Sequence, residues 1–300
     1  MRITRHSTAG ADVVAVVGAA GQLGCELLRP QRTCGPTPRV VHGLDIDQVD
    51  ITRYESVTAM FERLRPGLVI NAAAYTDVDG CESQVEQAFA VNATGPQHLA
   101  RACREYGARL VHVSTDYVFD GRKHSPYLPE DPVNPQSVYG KSKAEGEQRV
   151  RQTLADHVIV RTSWLFGAGG RNFVKTILQA ATERPELHVV TDQVGCPTYA
   201  KDLAAALLAL GLSDRTGTYH FCNAGVCSWN AFASRILELA GLSTPVRPMT
   251  TAQLKRPAPR PAYSVLDTSR LTEHTGIQPR SWQEALAECM AELKQAACKP

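Results

Sequence analysis

The segment from Val13 to Arg29 constrains the fold more than any other. Val13–Val17 is a short β-branched run, Gly18, Gly21 and Gly24 follow as Gly-x-x-Gly-x-x-Gly, and a helical stretch opens at Gln22. Glycines at this spacing between a strand and a helix permit a tight turn, let backbone N–H groups approach a pyrophosphate, and leave that anion at a helix N-terminus. The pattern predicts the first βα unit of a dinucleotide-binding sheet. Such sites also use an acid about 20 residues further on, at the end of the second strand, for the adenosine ribose. Asp45 meets that spacing, with Asp47 and Asp50 close by. Gly18, Gly21, Gly24 and a carboxylate of this group, Asp45 or Asp50, are therefore assigned to the cofactor; Gln22 and Leu23 in the turn and Ile51 beside Asp50 are grouped with them. No arginine adjoins Asp45 to receive a 2′-phosphate, which favours NADH and leaves NADPH open.

The rest of the first half keeps the same rhythm. Arg39–Leu44, Leu68–Asn71, Leu110–Ser114 and Val158–Arg161 read as strands, and the segments between them carry apolar residues at helical spacing, as in Tyr54, Val57, Met60, Phe61 and Leu64 or Leu99, Ala102 and Cys103. Alternating strands and helices imply a parallel sheet covered on both faces. Later helices are expected at Phe173–Thr182, Asp202–Leu210, Ala231–Ala240 and Trp282–Ala297, with a strand near Leu187–Val190 and a proline-rich connector over Arg256–Pro261. The fold class read from this is α/β: a Rossmann-type doubly wound parallel sheet, residues 1–165, with its core from about residue 12 and later segments able to return to it. A smaller irregular C-terminal lobe, residues 166–300, mainly binds substrate.

Composition sets limits on partners. Thirty-two Lys and Arg against thirty Asp and Glu leave a formal charge of +2 and no basic block, so nucleic acid is not expected. The longest apolar run, Leu203–Leu212, is too short for a membrane helix. Arg2, Arg5 and His6 precede an apolar stretch in the manner of a signal peptide, but that stretch reads better as the first strand. Nine cysteines, an odd count without a Cys-x-x-Cys pair, read as reduced thiols in a cytoplasmic protein.

Two further constellations carry chemistry. Tyr139 and Lys143 lie at i, i+4 in a helical stretch from Val138 to Arg149, so both side chains share one face. A tyrosine acting as proton donor at neutral pH benefits from a neighbouring cation that stabilises its phenolate. Upstream, Ser114-Thr115-Asp116-Tyr117 ends the fourth strand, where a hydroxyl can hydrogen-bond and polarise a carbonyl oxygen. In the second lobe the guanidinium forks of Arg256 and Arg260 suit a diphosphate.

Taken together, these segments resemble the dTDP-4-dehydrorhamnose reductases of the extended short-chain dehydrogenase/reductases. The resemblance also rests on Asn71-Ala72-Ala73-Ala74-Tyr75-Thr76-Asp77-Val78-Asp79, Ser114 to Gly121, Arg161-Thr162-Ser163-Trp164, Asn172-Phe173, Asp192 to Thr198 and Arg260 to Ser264, and so runs nearly the whole chain. It implies an NADPH- or NADH-dependent reduction of the 4-keto group of a dTDP-4-dehydro-6-deoxy-L-sugar, foremost dTDP-4-dehydro-L-rhamnose, with Thr115, Tyr139 and Lys143 as the catalytic trio. By the same resemblance Gly21, Gln22, Leu23, Ala72, Ala73 and Ala74 line the cofactor, Thr115, Asp116 and Trp164 touch the sugar nucleotide, and Asn172 and Phe173 lie near its pyrophosphate or sugar. Some family members form a magnesium-linked homodimer through glutamates. Glu26 stands at one such position, but a single helical glutamate reads first as a solvated face, and no metal site is assigned. A reductase for an antibiotic sugar such as dihydrostreptose is the nearest alternative. A cofactor-binding regulatory subunit, like that of methionine adenosyltransferase, is the alternative of another class. Dehydratases resemble Thr-Asp-Glu at the fourth strand; here Tyr117 follows Asp116, which disfavours them.

Overall fold

The computed structural model of the chain describes residues 12–29 and 39–297. Arg2, Arg5, His6, Cys34 and Cys298 lie outside them. The central sheet is parallel throughout. Its strands are β1 (Val13–Val17), β2 (Val40–Leu44), β3 (Leu68–Asn71), β4 (Arg109–Thr115) and β5 (His157–Thr162), joined by Gly217–His220, in the order Gly217–His220, β5, β4, β3, β1, β2. The order reverses between β1 and β3. A crevice opens at such a point, beyond the carboxyl ends of the strands.

Alternation along the strands decides which helices cover which face. Val14, Val16, Leu68, Ile70, Val111, Val158 and Val160 pack under Leu203, Leu207 and Leu210. Ala15, Val17, Val69, Leu110 and Ile159 face the other way, onto Val57, Phe61, Leu99 and Cys103. The helices are α1 (Gln22–Leu27), α2 (Tyr54–Leu64), α3 (Val78–Ser83), α4 (Val85–Phe89), α5 (Gly95–Tyr106), α6 (Val138–Thr153), α7 (Phe173–Glu183), α8 (Ala200–Leu212) and α9 (Trp229–Ala240); α1 and α8 cover one face of the sheet, α2, α5 and α6 the other, and α7 and α9 belong to the second lobe. Between α4 and α5 the chain passes through a π turn, Ala90–Thr94, which helical spacing alone does not signal.

The second half divides its loyalties. Gly217–His220 pairs in register with β5, and α8 supplies the sheet's cover, so both belong to the first core. The lobe proper is a separate cluster of Phe166, Ile177, Phe232, Ile236, Trp282, Leu286 and neighbours, with Leu187–Val190 paired parallel to Val246–Met249. The seven cysteines among the described residues are free thiols. Glu26 is not on a solvated face: it is buried and ion-paired with Arg29 at 3.1 Å, because α1 is covered by neighbouring elements, including α8.

Candidate active site

A cleft of about 660 Å³ opens at the carboxyl ends of β1, β3, β4 and β5. Its floor is the glycine turn. Gly18 has φ +83°, and a Cβ there would lie 2.6 Å from the Ala73 nitrogen; at Gly24 it would meet the Gly18 oxygen at 2.2 Å. Neither position accepts a side chain. Asp45 closes the turn from β2, accepting the Ala20 N–H through Oδ2 at 2.7 Å. Ala72 and Ala74 line the cleft, whereas Ala73 packs beneath Gly18 and is held by Asn71 Oδ1, which accepts its N–H at 3.1 Å.

The reacting end is assembled by the close approach of α6. Ser137 caps the helix by accepting the Gly140 N–H at 3.1 Å. A Cβ on Gly140 would sit 2.2 Å from the Tyr117 oxygen, and one on Gly146 would sit 2.1 Å from the Asn92 oxygen in the π turn. These glycines bring the α6 backbone against the end of β4. Asn92 locks the junction: Nδ2 donates to the Tyr75 carbonyl (3.0 Å) and to Ser142 Oγ (3.1 Å), and Oδ1 accepts the Tyr75 N–H (2.8 Å).

Tyr139 and Lys143 therefore face Thr115 across the cleft. Burial pushes the Tyr139 phenol well above its ordinary range, opposed by the nearby Thr115 hydroxyl, which itself donates to Asp116 Oδ1 at 2.9 Å. Lys143 Nζ donates to the Val113 carbonyl at 2.7 Å. Burial pulls its ammonium down to about 8, against the opposing charge of Glu147 one turn along. Glu147 is itself held at about 2, against the penalty of its burial, by a two-pronged pair with buried Arg161, Nε to Oε1 at 2.8 Å and Nη2 to Oε2 at 2.7 Å. The lysine stays cationic at neutral pH because a buried carboxylate lies one turn away.

The opposite wall is aromatic. Trp164, at a left-handed φ of +48°, stacks on Trp229 with ring centroids 3.6 Å apart and planes 8° apart; Phe173 leans on Trp229 at 4.5 Å. Gly195 leaves room for Trp164, whose Cε2 would lie 2.6 Å from a Cβ there.

Several assigned residues lie away from the cleft. Asn172 Nδ2 donates to the carbonyls of Gly167 (2.8 Å) and Gly169 (3.2 Å) and to Gln22 Oε1 (3.4 Å), tying the Gly167–Arg171 loop to the glycine turn. Asp50 accepts from Thr52, and Ile51 is core, packed on Gly95. Arg260 grips Asp79 with Nη1 at 3.0 Å and Nη2 at 2.9 Å, and Arg256 reaches the same carboxylate at 3.4 Å. Neither arginine lines the cleft, because the connector folds over α3, where Asp79 is the nearest anion. Conversely, Thr76, Val78, Arg171 and Trp229 do line it. Thr76 and Val78 stood inside a motif already singled out. Trp229 and Arg171 have no local signal, since only tertiary folding brings them there.

The comparisons agree with this geometry. The family model described as RmlD substrate binding domain matches residues 13–295. The chain belongs to the dTDP-4-dehydrorhamnose reductase family. Its relatives in that family include a dTDP-4-dehydrorhamnose reductase of Mycobacterium tuberculosis (strain ATCC 25618 / H37Rv), 46% identical over 92% of this chain and 91% of that one. The spore coat polysaccharide biosynthesis protein SpsK of Bacillus subtilis (strain 168) is 45% identical over 95% of this chain and 99% of its own. Among solved structures, a dTDP-4-dehydrorhamnose reductase from Bacillus anthracis in complex with NADP superposes with a TM-score of 0.89 at 38% identity, covering 94% of this chain and 99% of that one. Among the described residues no cluster of three or more His, Cys, Asp or Glu side chains is arranged to hold a metal ion, and no helix is long and apolar enough to cross a membrane.

Proposed function

We propose that this chain reduces the 4-keto group of a dTDP-4-dehydro-6-deoxy-L-sugar, dTDP-4-dehydro-L-rhamnose to dTDP-L-rhamnose in the first instance, with NADPH or NADH. The observation that carries the reading is the meeting of Thr115, Tyr139 and Lys143 at one end of a cleft whose other end is the glycine turn. The residues present fit a dinucleotide. A Cβ on Gly21 would meet only the Gly18 oxygen, at 3.3 Å, so the backbone there remains open to close approach by a pyrophosphate. Asp45, at the lip of the turn, is the carboxylate within reach of a ribose. A reduced nicotinamide, when bound, supplies the hydride.

The chain's own residues do the rest. Tyr139 donates its phenolic proton to the sugar's ketone oxygen. Thr115 hydrogen-bonds the same oxygen as negative charge develops on it. Lys143, cationic and fixed by the Val113 carbonyl, stabilises the phenolate left on Tyr139. Trp164 and Trp229 offer flat apolar faces to the sugar nucleotide, and Arg171 brings a cation to the cleft beside the turn. Incubation with dTDP-4-dehydro-L-rhamnose and either reduced nucleotide, with the product sugar identified by NMR, tests the assignment. Oxidation of the nucleotide with dTDP-L-rhamnose as product supports it; no turnover with either nucleotide overturns it.

A further inference from the structure

Among the described residues the cleft is lined by two cations, Lys143 and Arg171. Lys143 is buried at the reacting end and fixed by the Val113 carbonyl. Arg171 is exposed, and among the described residues it makes no hydrogen bond or ion pair. Its place is set from the glycine turn. The Gln22 side chain is held at both ends by the segment that carries Arg171: Nε2 donates to the Leu165 carbonyl at 3.3 Å, and Oε1 accepts from Asn172 Nδ2 at 3.4 Å. Between these two ties the backbone lies flat on the turn, for a Cβ on Gly170 would come within 3.0 Å of the Gln22 Cβ and 3.3 Å of the Gln22 nitrogen. Gly170 makes this approach at a left-handed φ of +62°. Arg171 is the next residue, so its side chain starts beside the part of the turn that stays open to a pyrophosphate.

Two diphosphates enter the cleft on the reductase reading, one in the dinucleotide and one in the sugar nucleotide. The ties to Gln22 favour the first, since they fasten Arg171 to the turn rather than to the Trp164–Trp229 stack. Resting on that reading, we propose that Arg171 is a cofactor-binding residue supplied by the second lobe: its guanidinium pairs with the pyrophosphate of the dinucleotide, and Gln22 is the anchor that holds it over the turn. A planar guanidinium donates two parallel N–H groups to phosphate oxygens, which an ammonium does not. The pyrophosphate is common to NADH and NADPH, so Arg171 strengthens both alike and does not read the 2′-phosphate. The second lobe therefore serves the cofactor as well as the sugar nucleotide.

Binding to the full chain tests this, with NADPH and NADH titrated by nicotinamide fluorescence and dTDP by calorimetry. Because Arg171 is exposed, its replacement spares the core. Arg171→Ala is expected to raise Kd for NADPH and NADH together by about tenfold at low ionic strength, and to leave Kd for dTDP within about twofold. The loss shrinks at about 1 M salt, where the screening length is about 3 Å. Arg171→Lys recovers part of it, keeping the charge without the fork. In turnover, Arg171→Ala raises KM for the nucleotide and preserves kcat. Gln22→Leu cuts both ties and weakens nucleotide binding too; adding Arg171→Ala to it costs less than in the wild-type background, because the anchor is already gone. A larger loss for dTDP than for the nucleotides gives Arg171 to the sugar diphosphate, a loss confined to NADPH gives it to the 2′-phosphate, and unchanged affinities leave it in solvent; each overturns the proposal. Strictly additive losses in the double variant overturn the anchoring by Gln22. A wild-type protein that binds both nucleotides and reduces no ketosugar overturns the reductase reading alone, and one that binds neither overturns both.

Discussion

The two walls of the cleft are held by different kinds of contact. On the sheet side the parts meet backbone to backbone: Gly24 on Gly18, Gly140 on Tyr117, Gly146 on Asn92, each so close that a single methyl group would fall 2.1–2.2 Å from a carbonyl oxygen. On the lobe side the Trp164–Trp229 stack and the Arg260–Asp79 pair are contacts between side chains. Backbone contacts of the first kind have one solution and no slack. Stacks and ion pairs can slide, exchange partners and be rebuilt with other residues. The sheet wall accordingly suits the part of a reaction that never varies, and the lobe wall suits the part that distinguishes one sugar nucleotide from another.

The largest effect expected on this contrast comes from the invariant wall. Tyr139→Phe removes one hydroxyl and keeps the ring against Tyr117, so fold and cofactor affinity should persist while kcat drops about 10²–10⁴-fold. Near wild-type turnover with normal cofactor binding defeats the proton-donor role. Next comes Gly140→Ala, whose methyl forces α6 away from Thr115. It should cost about 1–3 kcal/mol of stability in denaturant unfolding and lower kcat more than KM. An alanine variant with unaltered stability and kcat would show that the approach of α6 has slack after all.

Smaller effects are expected on the lobe side. Trp229→Leu removes a stack worth about 0.5–1.5 kcal/mol, so KM for the sugar nucleotide should rise by up to roughly tenfold with little change in NADPH affinity. Loss concentrated in kcat would move Trp229 to the other side of the comparison. Arg260→Ala should change least, about 1 kcal/mol of stability, with sugar KM nearly unchanged because the guanidinium already grips Asp79. Arg260 holds the Asp79 carboxyl below its ordinary range. The stability from this pair is present above the unfolded carboxyl's pKa and disappears as pH falls through the lower folded value. Arg260→Ala should therefore flatten the acid side of the stability curve below about pH 4. A marked rise in KM for the sugar would instead return Arg260 to the diphosphate.

The same division explains what could be read in advance. The turn at Gly18–Gly24 and the Tyr139–Lys143 pair declare themselves because their parts are neighbours in the chain, within one turn or one helix face. Glycine spacing marks the turn itself, yet the close approaches of Gly140 and Gly146 have no signal in the sequence, since the carbonyls they touch belong to distant segments. The π turn carries no sequence signal because its side chains keep a helical rhythm while its backbone does not. Charge alone points Arg256 and Arg260 toward a diphosphate. The carboxylate that engages them arrives from α3 through tertiary folding.

The return of Gly217–His220 and α8 to the sheet has a consequence for how the chain leaves the ribosome. One face of β1, β3, β4 and β5 is covered by Leu203, Leu207 and Leu210, residues synthesised long after those strands. Until they emerge, a nascent chain ending near residue 165 presents an unprotected apolar sheet face and an unpaired β5 edge, the features that make intermediates aggregate. Synthesis thus runs well ahead of closure of this core, and a fragment cut at the apparent end of the first unit should need a chaperone, because the cover of this sheet face arrives only with residues 200–220.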